Sequence, residues 1–233
     1  MYKLISIVML MLMTSWSYAN DIYVTQSGAS LDLDITQDGS NNTVGNSTTA
    51  SASTGATTIL NIDQIGNSNV IKYQINGATY TGVINLVGNS NDVDLNCDST
   101  GNNSSCGSAN AVINFTGNSN DIDLDIGQTS SATSADVDIV GQSGSDSNVV
   151  AATVDGNSAI LTITINGDTN NYLLDIDGNG DVNGHTLIHT HTGGIADVDI
   201  TQSGTNDNMI TLTTSGDNAC LLYTSPSPRD RVL

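Results

Sequence analysis

The chain has 233 residues, with 24 acidic residues against four Lys or Arg and a formal charge of −20. Every acid is Asp, and so few cations exclude nucleic acid and anionic membrane surfaces as partners, because neither phosphates nor headgroups can be neutralised. Aromatic content of 4% with 23 Gly disfavours a thick globular core, while 37% hydrophobic content is too high for a disordered acidic chain, so a thin, regular β architecture is expected.

The N-terminus carries Lys3, an apolar run from Leu4 to Met13 and the small-x-small triplet Ser17-Tyr18-Ala19. This is the form of a secretory signal peptide, so residues 1–19 are expected to be removed and the protein to be secreted, extracellular or held at the cell surface. The apolar run is about half the roughly 20 residues that a membrane span needs, and no later segment is more apolar, so no span is predicted.

From residue 20 onward glycines keep an eleven-residue period. Gly28 and Gly39 are eleven apart, as are successive members of Gly55, Gly66, Gly77 and Gly88, of Gly156, Gly167 and Gly178, and of Gly193 and Gly204. After Gly66 come Asn69 and then Ile71, Tyr73 and Ile75; after Gly167 come Asn170 and then Tyr172, Leu174 and Ile176. Apolar residues at every second position mark a strand with one buried face, and Gly-Asn-Ser-Asn at Gly66, Gly88 and Gly117 marks the turns between strands. One such unit cannot bury its apolar face alone. Two units forming a flattened coil of about 22 residues can do so if the coils stack. The prediction is an all-β, thin two-sided β-solenoid over residues 20–219, of roughly eight coils and about 40 Å in length. The longer intervals Gly39–Gly55, Gly88–Gly117, Gly117–Gly144 and Gly178–Gly193 are read as insertions at turns. The segment from Ile84 to Leu95, INLVGNSNDVDL, reappears from Ile113 to Leu124 as INFTGNSNDIDL. One coil apart, these place Asn91 under Asn120, Val93 under Ile122 and Leu95 under Leu124.

Several residues are candidates for chemistry. Asp32, Asp34, Asp92, Asp94, Asp121, Asp123, Asp125, Asp197 and Asp199 alternate with apolar residues and are expected on outward faces, where stacked carboxylates repel and acid or Ca²⁺ would promote association. Cys97 and Cys106 in an exported chain predict a disulfide closing a turn insertion. Asp175, Asp177, Asn179 and Asp181 follow the opening of an EF-hand-type calcium loop, but Thr186 stands where the bidentate Glu belongs. His185, His189 and His191 are read as part of a polar turn insertion in preference to a metal site. Thr runs such as Leu161-Thr162-Ile163-Thr164-Ile165 do not recur at one repeat position, which argues against the flat Thr ladder of an ice-binding solenoid. No Gly-x-Ser-x-Gly elbow or phosphate loop occurs, so the chain is expected to be no enzyme and to require no cofactor, with calcium the one candidate ion. Beyond Ala219 the pattern breaks. Cys220 to Asp230, CLLYTSPSPRD, resembles translated sequencing-adapter DNA residue for residue, so 220–233 are read as a non-native tail.

The segments VTQSG, ITQDGSNN, IDQIGNSNVIKYQ, VGQSGSDSN and ITQSGTNDN resemble curlin repeats, the Gln-x-Gly-x-x-Asn units of bacterial curli fibre subunits. Gln26, Gln37, Gln64, Gln142 and Gln202 match the family's Gln position, and Asn42 and Asn69 its Asn position, with Asn91, Asn120 and Asn170 extending the Asn series. The resemblance implies a secreted β-solenoid that self-assembles into extracellular amyloid fibres of a biofilm matrix, with copies of itself and related fibre subunits as partners and matrix polysaccharide as a further candidate. The second reading is a cell-surface adhesin or phage-fibre-like solenoid that binds through its faces and is stabilised by calcium.

Overall fold

The computed structural model describes residues 21–39, 41–45, 50–97, 106–127, 134–156, 158–177, 185–203, 209–216 and 218–224. Among them the chain is all strand and turn: β1 (Asp21–Ile22), β2 (Thr25–Ser27), β3 (Ser30–Asp38), β4 (Thr43–Val44), β5 (Ser51–Ile65), β6 (Val70–Val87), β7 (Asp92–Cys97), β8 (Ser108–Thr116), β9 (Asp121–Ile126), β10 (Ser134–Gly141), β11 (Val149–Asp155), β12 (Ala159–Asn166), β13 (Asn170–Asp177), β14 (Thr186–Thr192), β15 (Ile195–Gln202), β16 (Met209–Ser215) and β17 (Asn218–Thr224). All pairings are parallel, and from β6 onward each strand pairs with the strand two places on, the signature of a coil with two walls. The chain winds through about seven turns, close to the eight expected.

One wall stacks β3, the C-terminal half of β5 and of β6, then β8, β10, β12, β14 and β16. The other stacks β1, β4, the N-terminal half of β6, β7, β9, β11, β13, β15 and β17. Inward residues form vertical columns. On the first wall Ile35, Ile62, Ile84, Ile113, Ile139 and Ile163 lie in one file. On the second, Val44, Ile71, Val93, Ile122, Val150, Tyr172 and Val198 do the same. Nearly all are fully buried, and each aliphatic side chain so removed from water stabilises the stack by about 1.5 to 3 kcal/mol. β-Branched residues dominate because they fit the pleat and stack like on like.

The glycine period has two structural meanings. Gly39, Gly66, Gly88, Gly117, Gly167 and Gly193 belong to the corner that opens the second wall; all but Gly167 have positive φ, and following residues such as Ser68, Ser90 and Ser119 take the left-handed backbone region. Gly28, Gly55 and Gly77 stack at the opposite corner, where β5 and β6 bend from one wall to the other and only Ala56 and Ala78 drop out of the pairing. In β6 the alternation shifts by one place at Ala78 and Thr79, so Ile71, Tyr73 and Ile75 point inward before the corner and Tyr80, Ile84 and Leu86 after it. Gly204 lies outside the described residues.

Cys220 to Thr224, read as non-native, continue β17 and pair in register with β15, yet every residue of β17 is exposed. An unpaired parallel edge accepts any β-prone segment that follows it, and Leu-Leu-Tyr-Thr is such a segment.

Candidate functional site

The most regular feature of the molecule is a pair of polar ladders at the Gly-Asn-Ser-Asn corner. The inner one links Asn42, Asn69, Asn91, Asn120, Asn148 and Asn170, all buried. The backbone N–H of each donates to the side-chain Oδ1 of the next, at 2.9, 3.0, 3.0, 2.8 and 2.9 Å, across sequence separations of 27, 22, 29, 28 and 22. Further bonds run from the Asn91, Asn120 and Asn148 amides to the next Oδ1, at 3.0, 3.2 and 3.1 Å. Burial makes these bonds matter, because a corner N–H left without an acceptor there cannot turn to water.

The outer ladder is exposed and runs the other way. Asn89, Asn118, Asp146, Asp168 and Gly194 each donate a backbone N–H to the Oδ1 one coil earlier, from Asn67, Asn89, Asn118, Asp146 and Asp168 in turn. Inner donors therefore face later coils and outer donors face earlier ones.

Gln residues do not form the continuous series that the motif suggests. Gln37 and Gln64 share a column and a 2.7 Å amide hydrogen bond, but the same column continues as Leu86, Phe115, Gly141, Ile165 and His191. Gln26 and Gln202 occupy opposite ends of a column on the other wall, with Ser53, Ile75, Cys97, Ile126, Val154 and Ile176 between them. Gln142 is in neither column. It is exposed, because Gly141 takes the inward place and residues 142–144 fill a turn closed by the Ser145 N–H to the Gln142 carbonyl. Ser145, not Gly144, then sits under Gly167, and this shift is why Asn148 was not placed in the Asn series.

The insertions carry the remaining candidates. Cys97 and Cys106 are buried and joined, with Cα atoms 5.5 Å apart. Reduction is expected to lower stability by about 2 to 3 kcal/mol, the loop-closure entropy of so short a loop, and urea melts with and without reductant would measure it. Of the calcium-type set, Asp175 lies on β13 and Asp177 ends that strand, while Asn179 and Asp181 lie outside the described residues. Among the described residues no group of three or more His, Cys or Asp could hold a metal ion.

Two expectations are corrected. His185, His189 and His191 are not in a polar insertion: all are buried, and the last two point into the core from β14. Nothing in their spacing separates an inward strand face from a loop, since both read as alternation. Thr164, Thr190 and Thr213 do share one outward column, together with a parallel file of Thr162, Ile188 and Thr211. The inserted residues between coils hide that recurrence from a fixed eleven-residue count.

Only four of the nine outward carboxylates stack on one another; Asp32 and Asp34 lie beside Ile59 and Asn61, Asp125 between Asn96 and Thr153, and Asp197 and Asp199 beside Asn171 and Leu173. Asp92 pairs in register with Asp121 and Asp94 with Asp123. One coil earlier Lys72 reaches Asp92 at 2.8 Å and Asp94 at 3.6 Å. Burial pulls the Lys72 ammonium down, but the hydrogen bond and charge of Asp92, with Asp94 behind it, outweigh that and leave it raised. Asp121 and Asp123 are held above the usual carboxylate range, first by partial burial and then by neighbouring carboxylates. A comparison with protein-family models, with curated proteins and with solved structures finds no match.

Proposed function

We propose that this chain is a secreted, curli-like structural protein that associates end to end with copies of itself into extracellular amyloid-type fibres. A β-solenoid fits a self-associating structural role, and the observation that carries the reading is the pair of unfinished ends. Among the described strands β1, β2 and β3 have a neighbour on one side only, as do β16 and, with the 220–233 tail set aside, most of β15. A parallel edge of this kind offers alternate N–H and C=O groups to another strand. The end columns also hold unspent amide capacity. Gln202 is fully buried with neither amide atom partnered. At the other end, Gln26 donates to the Ser30 carbonyl at 3.2 Å and leaves its Oε1 without a partner.

The two stacked Asp pairs set the conditions. With Asp121 and Asp123 raised, the stacked form binds protons more readily than the unfolded chain, so its stability grows as pH falls through their folded values to the ordinary carboxylate range and is lost as pH rises back through them. Ca²⁺ or salt would relieve the same repulsion at neutral pH. The test is thioflavin fluorescence and fibre diffraction on residues 20–219, with and without Ca²⁺. Dye signal that grows faster with Ca²⁺, together with a meridional reflection near 4.8 Å, is the expected result. A protein that stays monomeric under all these conditions would overturn the fibre reading and leave the surface-binding solenoid in its place.

A further inference from the structure

The coil that contains β14 differs from its neighbours in what it turns inward. His185, Leu187, His189 and His191 are all buried in one layer. Register sets His189 between Ile163 and Leu212, in a file that is otherwise aliphatic, and His191 between Ile165 and Thr214, in the mixed file that begins with Gln37 and Gln64. The His189 ring stands edge-on to Tyr172 with centroids 4.4 Å apart, and neither of its nitrogens has a hydrogen-bond partner. His191 meets the Tyr172 hydroxyl at 2.9 Å through Nδ1, while its Nε2 has no partner. His185 accepts the Ala159 N–H at 3.3 Å.

The surroundings offer almost nothing to a cation. The residues in register with the pair are the buried Ile163 and Ile165 of β12 on one side, and the half-buried Leu212 and exposed Thr214 of β16 on the other. β15 contributes Ala196, Val198, Ile200 and Gln202. The titratable groups that face the pair are Tyr172 of β13, His185 of the same layer and Asp168 of the corner, and Asp168 favours charge on His191 without outweighing its burial. A proton on His189 would therefore place an unpaired charge in a packed apolar layer.

We propose that this histidine layer is an acid-labile seam: protonation releases β14 to β17 from the aliphatic-cored coils before them and frees β12 and β13 as a new stack end. The inference stands whether or not the chain forms fibres. Burial lowers His189 to about 4, with His191 adding to the effect, and burial lowers His191 as well. Both groups are neutral in folded and unfolded chains at pH 7.5. Below about 6.5 the opened form takes up protons that the closed form refuses, so closure weakens as pH falls from there toward 4.

Hydrogen exchange of the full chain, read by mass spectrometry at pH 7.5 and pH 5.0 and corrected for chemical rate, tests this. Peptides from β14 to β17 are expected to lose about thirtyfold or more in protection at pH 5.0, the ratio that linkage gives for one such histidine. Peptides from β8 to β11 should hold theirs, and a His189→Ile, His191→Ile variant should lose the difference. Equal loss along the whole chain, no loss, or the same loss in the variant overturns the proposal. If the variant does not fold, NMR titration of the native histidines decides: a His189 that titrates near 6.5 in an intact fold overturns it, and one that stays neutral until the last coils open upholds it.

Discussion

Gly88→Ala is expected to prevent the solenoid from closing. The backbone at Gly88 has φ of 143°, a region that L side chains rarely adopt, and a Cβ there would run into the carbonyl carbon and oxygen of Gly66 in the coil below. Neither obstacle is a side chain that can swing aside. Both are main chain held by pairing, so the conflict must separate two coils near the middle of the stack. A loss of more than about 4 kcal/mol is expected, the range reached only when backbone strain adds to lost packing. Far-ultraviolet circular dichroism should show the β signal reduced or absent at neutral pH. Gly144→Ala is the control. Its φ of 81° strains an alanine, but nothing lies within 4 Å of the added carbon, so about 1 to 2 kcal/mol is expected. Equal effects from the two would mean that coil contact at the Gly88 corner is not what the period protects.

Asn120→Ala should be nearly as damaging for a different reason. Its Oδ1 accepts from both the backbone N–H and the side-chain amide of Asn91, each at 3.0 Å, and both residues are buried. Truncation strands two donors where water cannot reach, at about 1 to 3 kcal/mol each, so a total near 3 kcal/mol is expected in urea denaturation. Asn118→Ala removes an acceptor from the exposed ladder, where it takes the Asp146 N–H at 2.8 Å. Water can replace it there, and the change should stay below about 1 kcal/mol. If the two substitutions cost the same, burial is not what gives the inner series its weight.

Much of this arrangement is legible in the sequence wherever the eleven-residue count runs unbroken. Gly66 and Gly167 predict the inward residues that follow them, and the paired segments at Ile84 and Ile113 place Val93 on Ile122 and Leu95 on Leu124, as found. The count fails where residues are inserted, because inserted residues move the glycine without moving the strand. At 142–144 the corner position passes from a glycine to Ser145, so Gln142 falls out of the core and Asn148 comes into line unannounced. Motif matching also misleads when packing needs only a filled column. A buried Gln demands an amide partner, as Gln64 finds in Gln37, whereas Leu86 and Phe115 fill the same file with no such demand. The histidines escape the count for the converse reason: a neutral imidazole is flat and compact enough to take an aliphatic site, and polarity alone does not reveal which way it points.

The opposed ladders at the corner give the layers that carry both of them, from Asn67 to Asn170, a top and a bottom that are chemically unlike. One surface of a layer presents inner N–H groups beside outer carbonyl-type oxygens, and the other presents the reverse. Two such surfaces match only when both molecules run in the same sense; turning one over sets donor against donor. Any filament built from this unit is therefore a vector, with two ends that should elongate at different speeds.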